Sequence, residues 1–146
     1  MNEPIVYNLD SSIIIEILRD NQTVIGNMLA AVGTKNKIAV CSVVYYEVMR
    51  GYDKKVNHKK VDVFRNLCND AVQFDFKDVA VDLATDIYRH LSKRGQKIED
   101  ADIFIAAITM ANDAILVTDN VKHFERVPDL KVINWKDLGG LNDEHC

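Results

Sequence analysis

The sequence predicts an α/β fold: a four- to five-stranded, mainly parallel sheet covered by helices on both faces. Two observations carry this. Apolar runs of strand length alternate with segments of helical spacing, which implies crossover connections and therefore parallel pairing. Four acidic residues then stand in or against those runs, where such a topology would bring them to one edge of the sheet. In folds of this kind ligands gather beyond the carboxyl ends of the strands.

Taken in order, the first strand is Ile5–Leu9, closed by Asp10, which can cap the helix that follows. Ser12–Leu18 and Val24–Val32 have helical spacing. Ile38–Cys41 reads as the second strand, and Ser42 can cap a helix to Arg50 with Gly51 as its stop. His58–Cys68 places Val61, Phe64, Arg65 and Cys68 at intervals of three and four. Ala71–Phe74 is the third strand. Lys77–Lys93 is a long amphipathic helix with Val79, Leu83, Ile87 and Leu91 on one stripe and Gly95 beyond its end. Glu99 or Asp100 can open a helix ending near Asn112. Ala114–Val117 and Lys131–Ile133 complete the sheet.

Composition narrows the function classes. A chain of 146 residues, 48% hydrophobic and 27% charged, suits one domain with a single core. The expected division is a single domain over 1–146, with a core of about 5–135 and a tail of 136–146. No apolar stretch approaches the roughly 18 residues of a membrane span, and Met1–Pro4 shows no secretory pattern, so a cytoplasmic location and no membrane partner are expected. Cys41, Cys68 and Cys146 are odd in number and lack CxxC spacing, which argues against a disulfide framework and a zinc site. His58, His90, His123 and His145 are scattered and form no metal motif. The net charge of −4 does not help phosphate binding, but a local basic patch and a divalent ion can act against an acidic average.

The informative residues are the acids. Asp10 ends an apolar strand, Glu47 interrupts Val43–Met49, Asp102 opens Ile103–Ile108 and Asp119 follows Ala114–Thr118. Carboxylates are rarely buried unless paired, and no single Lys or Arg neighbours all four. Brought to about 5 Å, each pair would repel by roughly 3 kcal/mol at an effective dielectric near 20. A hard cation relieves such a cluster, and Mg²⁺ or Mn²⁺ suits an all-oxygen site. The pattern points to metal-dependent chemistry on phosphate esters. Simpler roles exist for each acid: a helix cap for Asp10, a solvated helix position for Glu47, a dipole-complementing charge for Asp102 and a turn residue for Asp119. Asp100 reads as a cap or supporting acid before it reads as a ligand.

The wording around these acids resembles the PIN-domain ribonucleases, and among them the VapC toxins of type II toxin–antitoxin pairs. Leu9-Asp10-Ser11-Ser12-Ile13-Ile14 is similar to the strand-end Asp motif, and Ser42…Glu47-Val48-Met49-Arg50-Gly51 to the Ser…Glu-x-x-x-Gly helix. Asp100-Ala101-Asp102-Ile103-Phe104-Ile105-Ala106-Ala107 resembles the Asp-x-x-Ile-Ala-Ala helix. Leu116–Phe124 and Val127–Trp135 resemble the closing segments, so the likeness runs from about Ile5 to Trp135. The chain departs from the pattern in carrying Ser11 and Ser12 after the first acid, and in offering either Asp119 or Asn120 at the fourth position.

The resemblance implies a PIN-like three-layer α/β/α sandwich. It implies a Mg²⁺-dependent endoribonuclease, with Mn²⁺ as the substitute, that leaves 5′-phosphate and 3′-hydroxyl ends. Asp10, Glu47 and Asp102 would hold the metal and Asp119 would join them in catalysis, with Ser11, Asp100, Thr118 and Asn120 in support. Implied partners are RNA (tRNA or mRNA), a VapB-like antitoxin and a second copy in a homodimer. Lys54, Lys55, Lys59 and Lys60 are the first candidates for RNA contact; Arg89, His90, Lys93, Arg94 and Lys97 form a second basic run, and cations at helix ends also complement the dipole. Ile14, Ile17, Leu18, Tyr45 and Tyr46 are expected to form a partner surface. A housekeeping PIN-domain nuclease and a non-catalytic α/β binding module stand as the alternatives.

Overall fold

The computed structural model describes residues 3–137. The chain runs β1 (Val6–Leu9), α1 (Ser11–Leu18), α2 (Gln22–Val32), β2 (Lys37–Cys41), α3 (Ser42–Gly51), α4 (His58–Asp70), β3 (Val72–Phe74), α5 (Val79–Lys93), α6 (Asp100–Ala111), β4 (Ile115–Val117), α7 (Val121–Phe124) and β5 (Val132–Ile133). The five strands form one sheet in the order β3-β2-β1-β4-β5, and every pairing is parallel. This is the expected α/β sandwich at the upper end of its strand count.

β1 sits at the centre, with Val6 opposite Lys37 of β2 and Leu9 opposite Val117 of β4. A central parallel strand is buried on both faces and reads as a continuous apolar run. Asn8 breaks that pattern: it is fully buried, and its Nδ2 donates to Thr109 Oγ1 at 2.9 Å. Thr109 in turn donates to the Ile105 carbonyl at 2.7 Å. This polar link ties α6, which carries Asp102, to β1, which Asp10 follows.

Helix ends explain how the elements stop. Asp10 caps α1, accepting from the Ser11 N–H at 2.9 Å. After α5, Gly95 takes φ +64°, while its N–H and that of Gln96 reach back to Ser92 and Leu91; this left-handed stop suits glycine. Gly51 does not play that part. It is the last residue of α3, which ends on an extended Tyr52. Ser42 is likewise inside α3, with Cys41 at the cap position and no side-chain cap bond.

Packing corrects two further expectations. The inward stripe of α5 is Ala80, Ala84, Ile87 and Leu91, whereas Val79 is 60% exposed. Starting one residue later keeps Ile87 and Leu91 in the core and turns small alanines toward it, which lets α5 lie close along α6. Ile14 and Leu18 are core residues under the sheet, not a free surface. Tyr45 and Tyr46 do face outward, with Arg50 5.2 Å above the Tyr46 ring. The tail residues 138–146, including His145 and Cys146, lie outside the described residues. Among the described residues no helix is long and apolar enough to cross a membrane.

Candidate active site

Parallel strands all point their carboxyl ends to one edge, and α6 returns to that edge before leading into β4. Asp10 therefore follows β1, Thr118 and Asp119 follow β4, Glu47 lies on α3 just after β2, and Asp102 lies in the first turn of α6.

Asp10 is the most enclosed of the acids, at 6% exposure. Its Oδ1 accepts from the Ser11 N–H at 2.9 Å. Its Oδ2 accepts from Thr118 Oγ1 at 2.7 Å and from Ser12 Oγ at 3.2 Å. Burial nonetheless pushes the carboxyl above its ordinary value of 3.8, and the charge of Asp102 adds to the rise, while the three donors oppose it. Glu47 is also pushed up, first by burial and then by Asp10 and Asp102, with Ser11 and Arg50 offsetting part of the effect. Among the described residues, Glu47 Oε1 is buried without a hydrogen-bond partner. A buried carboxylate oxygen left without a donor is costly and calls for a cation or proton.

Asp102 has a neighbour that the linear sequence does not announce. His123 of α7 places Nε2 2.8 Å from Asp102 Oδ2, with both side chains about a quarter exposed. One oxygen of Asp102 is thereby held and the carboxylate oriented.

The remaining candidates take distinct places. Ser12 Oγ bonds Asp10, lies 3.4 Å from Thr118 Oγ1 and accepts from the Asp119 N–H at 3.2 Å. Thr118, fully buried, also accepts from the Asn120 N–H at 3.1 Å. The Asp119 carboxylate turns to Lys136 at 3.7 Å and is absent from the charges that raise Asp10 and Glu47. Asn120 is exposed and caps α7 by position, without a side-chain cap bond. Asp100 is an exposed first-turn acid of α6, whose cap position belongs to Glu99. Lys54 and Lys55 lie between α3 and α4, and Lys59 and Lys60 in the first turn of α4, with Lys60 5.9 Å over the Tyr52 ring.

Asp10, Glu47 and Asp102 thus form one electrostatically coupled group, although among the described residues no three acidic, His or Cys side chains are drawn to shared ligand distance. The donor set fits a hard divalent cation: carboxylate oxygens only, mutually repelling, one of them buried and unpartnered.

An all-parallel α/β/α sandwich with coupled acids beyond its strand ends defines the class, and the PIN-domain model matches residues 7–130. The chain belongs to the PIN-domain family. It is 29% identical over 134 residues to ribonuclease VapC2 of Rickettsia felis, covering 89% of this chain and 98% of that protein. It is 24% identical over 131 residues to ribonuclease VapC1 of Haemophilus influenzae, covering 89% and 98%. Among solved structures it resembles VapBC2 from Rickettsia felis bound to a DNA fragment from its promoter, with a TM-score of 0.79 and 28% identity over 90% of this chain and 99% of that one.

Proposed function

We propose that this chain is a divalent-metal-dependent endoribonuclease, the toxin of a VapBC-type pair, acting in the cytoplasm. The observation that carries the reading is the coupling of Asp10, Glu47 and Asp102 around an unpartnered Glu47 oxygen, in a PIN-domain chain matched almost end to end by relatives named ribonuclease VapC. Mg²⁺ is the natural ion for these oxygens, with Mn²⁺ as the substitute.

Asp10, Glu47 and Asp102 would hold the ion, which would supply an activated water and neutralise charge building on the phosphate. The chain's own work is to prepare those oxygens. Thr118, Ser12 and the Ser11 N–H donate to Asp10 and keep it an acceptor despite its burial. His123 fixes one oxygen of Asp102. Asp119 sits at the rim, tied to Lys136, where it can meet the substrate or a water. Asp100 and Asn120 border the same edge as supporting residues. Hydrolysis in this manner leaves 5′-phosphate and 3′-hydroxyl ends, with tRNA the preferred substrate over mRNA.

The VapBC complex among the structural neighbours supports a VapB-like antitoxin as partner, and exposed Tyr45 and Tyr46 suit an interface in a homodimer. Incubation with total cellular RNA, followed by mapping of new 5′-phosphate ends, tests the reading. Cuts confined to tRNA are expected. Cuts spread over mRNA with tRNA intact would remove the substrate assignment, and no metal-dependent cuts would remove the function.

A further inference from the structure

The second basic run of the sequence does not end at its helix. His90 and Arg94 at the close of α5 meet Lys122 of α7 and Arg126 just beyond it around an open cleft of about 450 Å³. Among the described residues Glu125 is the one acid on its wall. The dipole of α5 accounts for cations in its own last turn. It does not account for Lys122 and Arg126, which come from a segment about thirty residues later in the chain and face the same space. Arg126 is braced by a 3.4 Å hydrogen bond from Nη1 to the Lys97 carbonyl. Among the described residues, none of Arg94, Lys122 and Arg126 forms an ion pair with a carboxylate. Three cations outside any ion pair among the described residues, set against one acid, converge on one cleft in a chain of net charge −4. A concave cationic surface of this kind concentrates a polyanion locally.

The element that lines this cleft also reaches the acids. Lys122 lines it, and the next residue along α7, His123, bonds Asp102. Through Lys122 and His123, α7 contributes to both the cleft and the acid group, so a phosphodiester strand engaged at the acids can extend along α7 toward the cleft. The wall carries little apolar surface for a peptide side chain to fill, with Pro128 its one apolar residue among those described.

We infer that the cleft between the end of α5 and α7, lined by Arg94, Lys122 and Arg126, binds the phosphate backbone of the RNA strand beside the cleaved bond. The inference rests on the ribonuclease reading above. It also gives the second basic run, extended by α7, precedence over Lys54–Lys60 as the path of the substrate.

The test is equilibrium binding of a fluorescein-labelled single-stranded RNA to the full chain carrying Asp10→Asn, in Mg²⁺, across a salt series. Arg94→Glu and Lys122→Glu should each weaken binding several-fold at low salt. Each should also flatten the dependence of log Kd on log salt by about one. Arg94→Lys should keep both. All three cleft variants should melt with the parent, since these side chains are exposed. Unchanged affinity and salt slope in Arg94→Glu and Lys122→Glu, with the parent binding RNA, would overturn the cleft alone. A parent that binds no RNA, alongside a native chain that cuts none, would overturn both the cleft and the ribonuclease reading. Preferential capture of a polyglutamate peptide over RNA would overturn it in favour of a protein ligand.

Discussion

Thr118 Oγ1 donates to Asp10 Oδ2 at 2.7 Å, joining the ends of adjacent strands β1 and β4 at the centre of the candidate site. The bond needs Asp10 as an acceptor, so Thr118 favours the ionised carboxylate that burial disfavours. Thr118 also accepts from the Asn120 N–H, which fixes its hydroxyl and carries the loop after β4 into the same network.

Thr118→Val keeps the shape and removes the donor. Losing a hydrogen bond to a buried charge costs about 1.5–3 kcal/mol. Groups that orient metal ligands typically matter by about 10–100-fold in affinity or activity. Nuclease activity should fall in that range while Thr118→Ser retains most of it, measured as initial rates at saturating Mg²⁺. Equal rates for Val and native Thr would show that Asp10 does not depend on this donor.

A second prediction concerns pH. Asp10 and Glu47 are both raised above their ordinary values of 3.8 and 4.5. Between the unfolded and folded values the folded chain binds more protons than the unfolded one, so stability falls as pH rises through that window. The metal-free protein should therefore melt higher as pH is lowered from 7 into the region just above those ordinary values. Asp10→Asn should be more stable than the parent at pH 7 and show a flatter profile. The gain in Tm would be about 2–4 °C for each kcal/mol of relieved repulsion. Calorimetric scans in EDTA check it, and a parent that loses stability on the same descent in pH would oppose it.

Much of this arrangement was legible in the sequence. The five apolar runs became the five strands, Asp10 caps α1 as expected, and Gly95 ends α5. The acids could be picked out because carboxylates inside apolar wording are anomalous one residue at a time. His123 could not. It belongs to α7, a single turn of four residues that is too short to show a period, and its partner Asp102 is 21 residues away. Asn8 was hidden for the same reason: its buried bond to Thr109 spans 101 residues, and inside an apolar strand it reads only as an interruption. The stripe of α5 departs from the expectation because Val79 outranks Ala80 in hydrophobicity, yet Ala80 is the one the packed helix buries.

A third prediction addresses the metal. An ion that binds only the folded chain raises stability by mass action, about 2.7 kcal/mol at a hundred times its Kd. Titration with Mg²⁺ or Mn²⁺ should raise Tm in a saturable manner, and Glu47→Gln should shift the titration to higher metal. His123→Ala should do so as well, by about 10–100-fold in apparent affinity, because it frees the Asp102 carboxylate. A Tm unmoved by millimolar metal would mean that these oxygens do not gather a cation.

The central claim is that Asp10, Glu47 and Asp102 hold a divalent ion that makes this chain cut RNA. Cleavage of RNA by the native chain and by Asp102→Asn, each assayed in Mg²⁺ and in EDTA at matched folded concentration, tests it most directly. Cleavage only by the native chain and only in Mg²⁺, with 5′-phosphate on the new ends, is the predicted result. Equal cleavage by Asp102→Asn, or cleavage by the native chain that persists in EDTA, would contradict it.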